Sequence, residues 1–136
     1  MMGTRAESVD PGILLHLLRR GLGAEELAEA LDHESGLLGV SGVSGDVREV
    51  RAAAARGSAD ASLALEMFAE RAAGWIAFVA TALPRLDALV FSAGIGEHDG
   101  EMRAAIVGRL RVLGFGDEAV AAVAADTESD GVLTHA

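Results

Sequence analysis

The chain contains no cysteine, lysine, tyrosine, asparagine or glutamine. Without cysteine there is no disulfide, no thiolate nucleophile and no Cys-based metal site, a pattern that suits a reducing compartment. Without lysine a P-loop is excluded, because that loop ends in Gly-Lys-Ser/Thr. Every permanently cationic side chain is therefore an arginine, and the 11 arginines face 21 acidic residues. The formal net charge of -10 leaves no basic stripe for a nucleic-acid backbone or an anionic membrane, although a local site for one small anion is compatible with it. Long apolar runs are missing too. The longest, Ala72 to Leu83, falls well short of the roughly 20 residues that cross a bilayer, and no signal-peptide core precedes the first helix pattern. The expectation is a soluble, cytoplasmic protein.

Catalytic and metal signatures are equally scarce. His16, His33, His98 and His135 show no metal spacing, and there is no HExxH. No Gly-x-Ser-x-Gly elbow exists, so a Ser-His-Asp hydrolase has no support.

What remains is a chain of 136 residues, 51% of them hydrophobic, enough for one domain with a real core. Asp10-Pro11 marks a helix start, since Asp caps and Pro suits the first helical position. That helix runs to Arg20 and ends at Gly21 or Gly23; a second covers Ala24 to Leu31. The segment "HESGLLGVSGVSGDVREV" (33–50), rich in Gly and Ser between apolar pairs, reads as an ordered loop until a helix begins at Asp46 and runs to Ala55. Ser58 or Asp60 caps the longest helix, Ala61 to Leu83, broken by Pro84. Its second half is apolar all round, which predicts a buried central helix. Leu86 to Ser92 is an apolar strand covered on both faces; helices follow over Glu101 to Leu113 and, more weakly, Asp117 to Ala125. A strand buried on both faces needs neighbours for its hydrogen bonds, and only weak candidates such as Gly131 to Thr134 are on offer. The pattern reads as a piece of a larger sheet fold, or as a chain whose sheet a partner completes.

Three stretches carry chemistry. In "SAGIGE" (92–97), Gly94 and Gly96 follow a strand and precede a helix, the place where open α/β sheets hold ligands. Glycine permits close backbone approach, and the helix from about Glu101 would aim free N–H groups at an anion. The dinucleotide pattern GxGxxG is not met, because Asp99 stands at the third glycine's place. A tight strand-to-helix turn is the simpler reading of this stretch taken alone. In "SGVSGDVR" (41–48), Asp46 and Arg48 offer a carboxylate acceptor and a guanidinium suited to planar groups, or else a helix cap and a solvated charge. In "MGTRAESVDP" (2–11), Arg5 means little alone.

Together and in this order the stretches resemble the C-terminal part of the acetate kinase family, which includes propionate and butyrate kinases. The resemblance rests on "MGTR" followed by "VDPG", then "ESGLLGVSGVSGDVREV", then "LDALVFSAGIGE", "MR" and "LRVLGF", covering at least Met2 to Phe115. It implies an α/β fold: a partial RNase H-like domain of the sugar kinase, Hsc70 and actin superfamily, helix-rich because its sheet is incomplete. On this reading residues 1–136 are a single, truncated C-terminal nucleotide-binding domain. It implies phosphoryl transfer from ATP to acetate or another short-chain carboxylate, giving an acyl phosphate and ADP. By the resemblance, Arg5 lies beside the transferred phosphoryl group, where fixed positive charge stabilises the transition state. Asp46, Val47 and Arg48 match a first nucleotide-contacting segment, and Ala93, Gly94, Ile95, Gly96 and Glu97 a second. The family implies Mg2+, but its glutamate ligand falls past the last residue of this chain, so no metal ligand is expected here. The family's carboxylate-binding portion is likewise unmatched. A homodimer, or an N-terminal segment supplied in trans, is the expected partner, and the isolated chain is expected to turn over negligibly. Departures from the pattern are Ala6-Glu7-Ser8, where the family reads Ser-Gly-Asp, and His98, where it reads Asn. The alternative is a non-catalytic remnant or subunit that binds a partner chain through its open sheet.

Overall fold

A computed structural model describes residues 1–85 and 88–114, and the backbone of 120–122. The first helix, α1 (Pro11–Arg19), starts as its sequence dictates: the Asp10 side chain accepts from the Gly12 N–H at 2.6 Å, and Pro11 takes the first helical position. It buries no residue of its own. After Gly21 turns the chain (φ +97°), α2 (Ala24–His33) carries Glu25 and Glu26 in its first turn and buries Leu27.

The stretch read as a loop contains a short helix, α3 (Gly36–Ser41). Its first N–H groups lack partners within the helix. The amino-terminal segment supplies them: the Leu37 and Leu38 N–H groups donate to the Met2 and Gly3 carbonyls, each at 2.9 Å, and the Ser35 N–H donates to the Thr4 carbonyl at 2.8 Å. A segment more than thirty positions away thus decides the local structure, which is why local composition pointed to a loop. Gly42, in the left-handed region at φ +64°, closes α3.

Next come α4 (Val47–Ala55), capped by Asp46, and α5 (Ala59–Ala80), capped by the Ser58 hydroxyl accepting from the Ala61 N–H at 3.2 Å. Ala61, Ala64, Ala69 and Ala73 of α5 are all buried, and these small side chains let other helices approach closely. Against this helix pack α3, α4 and α7 (Gly100–Leu110), so α5 is the scaffold of the molecule. The core joins its alanines to Leu37, Val47, Val50, Phe91, Met102, Ile106, Val107 and Leu110.

The far half of α5 corrects the sequence expectation. Trp75 is 47% and Phe78 66% exposed, stacked edge to face with ring centroids 5.6 Å apart. Val79 and Leu83 are exposed as well. An all-round apolar surface says only that a helix is suited to burial; here the described elements cover one side of it.

The strand is shorter than expected, β1 (Leu89–Phe91), with Phe91 buried and Val90 exposed rather than covered on both faces. It pairs in parallel with β2 (Val120–Ala122), in the register Leu89–Val120, Val90–Ala121 and Phe91–Ala122. β2 lies inside the stretch expected to be a weak helix over Asp117 to Ala125. Two of its residues are alanines, which favour a helix, and pairing with the backbone of β1 overrides that preference. Between the strands run α6 (Ala93–His98), α7 and a 3-10 turn (Arg111–Leu113), the crossover that parallel pairing requires. The weak strand candidate Gly131 to Thr134 lies outside the described residues. Among the described residues no helix is long and apolar enough to cross a membrane.

Candidate nucleotide site

A cleft of about 1060 Å³ opens between α4 and the segment that follows β1. One wall is α4, with Asp46, Val47, Arg48, Arg51, Ala52 and Ala55; the other is formed by Gly94, Ile95 and the turn from His98 to Glu101. A second hollow, of about 590 Å³, is lined by residues 2–5, Gly45, Asp46, Val47 and Ile95. The hollows share Asp46, Val47 and Ile95. Three stretches far apart in sequence thereby meet, with Arg5 on one side of the shared residues and the larger cleft on the other.

Glycines permit this meeting. A Cβ on Gly3 would lie 2.9 Å from the Gly45 carbonyl oxygen, and one on Gly45 would lie 3.1 Å from the Gly3 carbonyl carbon. Two backbones touch there, which seats the Arg5 segment against the Asp46 segment. Gly36 holds the other side. Its φ is +65°, and a Cβ would stand 2.3 Å from the Met2 carbonyl oxygen.

Asp46 and Arg48 face each other rather than standing apart as separate ligands. The Arg48 guanidinium donates to both carboxylate oxygens, at 3.1 Å from Nε and 2.5 Å from Nη2, and the Arg48 backbone N–H donates to the Asp46 Oδ1 at 2.8 Å. The arginine side chain holds the Asp46 carboxyl down to about 2, with help from the backbone N–H, and the Asp46 carboxylate raises the Arg48 pKa. Arg5 is exposed and lies 3.7 Å from Asp32. Glu7, which departs from the family pattern, bonds the Met1 amino group and not Arg5.

The glycine stretch is a one-turn helix, α6, rather than an open loop. Ala93 enters it at φ +61°, an unusual angle for a residue with a side chain, and its N–H donates to the Glu97 carboxylate at 2.8 Å. Arg103 closes the other end, donating to the Gly96 and Glu97 carbonyls at 2.8 and 2.7 Å. The two glycines differ in role. A Cβ on Gly96 would lie 3.2 Å from the Phe91 backbone, so Gly96 lets α6 pack on β1; a Cβ on Gly94 would meet nothing within 4 Å. Gly94 and Ile95 line the cleft, whereas Ala93, Gly96 and Glu97 shape the turn behind it.

The expected anion-ready helix start is filled from within. The Asp99 carboxylate accepts from the Met102 N–H at 2.9 Å, so the first turn of α7 already holds a negative group. Sequence reasoning also missed Arg51, whose guanidinium donates to Asp99 and to Glu101, each at 2.5 Å. The partners stand 48 and 50 positions along the chain, and no local spacing announces such a pairing. Among the described residues no group of three or more His, Asp or Glu is placed to hold a metal ion.

The family model described as the acetokinase family matches residues 1–136. The chain belongs to the acetokinase family. It is 51% identical over 115 residues to an acetate kinase of Synechococcus sp., covering 85% of this chain and 28% of that protein. An acetate kinase of Photobacterium profundum matches over all 136 residues at 41% identity, 34% of its length, and a propionate kinase of Escherichia fergusonii at 48% over 88% of this chain and 30% of that one. The crystal structure of Porphyromonas gingivalis acetate kinase superposes with a TM-score of 0.79 at 39% identity, covering 84% of this chain and 29% of that one. A Francisella tularensis propionate kinase superposes at 0.78 with 40% identity, over 82% of this chain and 29% of its own. The fold is therefore the expected one, a partial domain of the sugar kinase, Hsc70 and actin superfamily. The chain spans about a third of the length of the acetokinase relatives it matches.

Proposed function

We propose that this chain forms the nucleotide side of an acetokinase site, holding ATP or ADP in the cleft between α4 and α6. The reaction served is phosphoryl transfer between ATP and a short-chain carboxylate, acetate or propionate, yielding an acyl phosphate and ADP. The supporting observation is the sharing of Asp46, Val47 and Ile95 by the large cleft and the hollow beside Arg5. A nucleotide whose base end occupied the large cleft would send its phosphates past Ile95 toward Arg5. A permanent cation there counters the charge of the phosphoryl group in transfer. In this assignment Asp46, Val47 and Arg48 form one contact segment and Ala93 to Glu97 the other. Gly94 and Ile95 stand at the surface of the cleft, and Glu97 holds the turn in shape.

Acetokinase chemistry implies Mg2+, but the described residues offer no donor set for it, and no step is assigned to it here. The carboxylate is assigned to the portion of the relatives that this chain does not match. A segment carrying that portion and, by the family resemblance, a second copy of the chain are the partners proposed, in the cytoplasm. The comparisons give no support to a non-catalytic, partner-binding chain.

Calorimetric titration with ADP tests the reading. Saturable binding, weakened by Gly94→Val more than by Arg5→Ala, is expected. Absence of binding, or the reverse order of the two variants, would overturn the placement. A coupled acyl phosphate assay on the purified chain is expected to show negligible turnover, because the in-line carboxylate is not held.

A further inference from the structure

We infer that Arg51 is a positioning residue that fixes the width of the cleft by tying its two walls together, an inference that rests on the nucleotide reading above. The walls are α4 on one side and the α6–α7 turn on the other. α4 and α7 each pack on α5 and touch one another little, so the cleft resembles a V with its apex at α5. Beyond the packing on α5 little joins the two walls, and the Arg51 guanidinium bridges them from the middle of α4, with one nitrogen on Asp99 and another on Glu101.

The two arms are unequal. The Asp99 side chain is 16% exposed and uses both its oxygens, Oδ1 on the Met102 N–H that caps α7 and Oδ2 on Arg51. Moving Asp99 would therefore move the start of α7, and with it the turn that carries His98 and Gly100 into the cleft. Glu101 is 79% exposed, and its pairing with Arg51 is more heavily screened by water. A planar guanidinium serves both carboxylates at once, which a lysine ammonium on one stem does less well. Arg103 pins the α6 end of the same turn to its own backbone, so the turn moves as a unit and Arg51 is its tie to α4.

The test combines hydrogen exchange without nucleotide and calorimetry with two probes, ADP and adenosine. Arg51→Met is expected to speed amide exchange over residues 93–102 and to weaken both probes by the same factor, about three- to fivefold. Arg51→Lys should fall between it and the parent chain. Asp99→Asn, which keeps a capping side chain but removes the charge, should act like Arg51→Met and stands in for it if that variant does not fold. Glu101→Gln should do less than either. Unchanged exchange in Arg51→Met would show that the tie does not hold the wall. Faster exchange with unchanged affinity would show that the wall does not position the ligand. A loss confined to ADP would make Arg51 a phosphate contact instead and overturn the inference. If the parent chain bound neither probe, the nucleotide reading would fall and the positioning role with it. The exchange result would still report on the tie, so the two failures are told apart.

Discussion

Single residues divide here into those that shape the backbone and those that meet the cleft. Gly36 belongs to the first kind, since it combines φ +65° with a carbonyl oxygen where its Cβ would be. Gly36→Ala is expected to destabilise the chain by about 2–3 kcal/mol, read from the urea midpoint, because strain and overlap act together. Gly94→Val is expected to leave that midpoint nearly unchanged while weakening ADP binding, since Gly94 faces open space in the cleft. Equal loss of stability in both variants would remove the distinction. Asp46 gives a pH dependence of known sign. Its folded pKa is held near 2 by Arg48, below the ordinary value of 3.8. A lowered pKa means that the native state binds fewer protons than the unfolded one, so the carboxylate's contribution is complete above about pH 4 and is lost as pH falls toward 2. The stability gap between the parent chain and Asp46→Asn should therefore close between pH 4 and 2. A gap that stayed constant or grew on acidification would contradict the pairing.

At the scale of elements, what was legible in the sequence was what is locally decided. Asp10-Pro11, Asp46 and Ser58 each announced a helix start, and each caps its helix as its chemistry suggests. Elements decided at a distance were not legible. α3 exists because Met2 and Gly3 accept its first N–H groups, and β2 because β1 needs a partner. The order of the glycine stretch after "SGVSGDVR" is what led to its being proposed as a site, yet its division of labour was hidden. That Gly96 packs on Phe91 while Gly94 faces outward depends on a turn of helix that two glycines discourage. The tie from Arg51 to Asp99 was invisible for the same reason, since neither residue has a local pattern. The far half of α5 was misread in the opposite direction. Its composition announces burial, but a helix cannot specify what will cover it.

For the whole molecule, these local facts converge on one coupling between ligand and stability. The cleft is assembled from residues 46–55 and 94–101, two segments joined mainly through α5 and the Arg51 tie. A nucleotide bridging them would bind the folded chain and not the unfolded one. It would then stabilise the fold by about 2.7 kcal/mol at a hundred times its Kd. For a domain of this size that is a rise in Tm of roughly 10 °C. Thermal unfolding followed by circular dichroism at rising ADP should show that increase in the parent chain. The rise should be smaller in Arg51→Met and in Gly94→Val at the same ADP concentration, since a weaker Kd leaves a smaller ratio of ligand to Kd. The pattern separates binding at this cleft from binding elsewhere on the chain. A ligand held by exposed arginines away from the cleft, such as Arg19 and Arg20, would protect the Gly94→Val variant as fully as the parent, and an equal Tm rise in both would place the nucleotide outside the cleft.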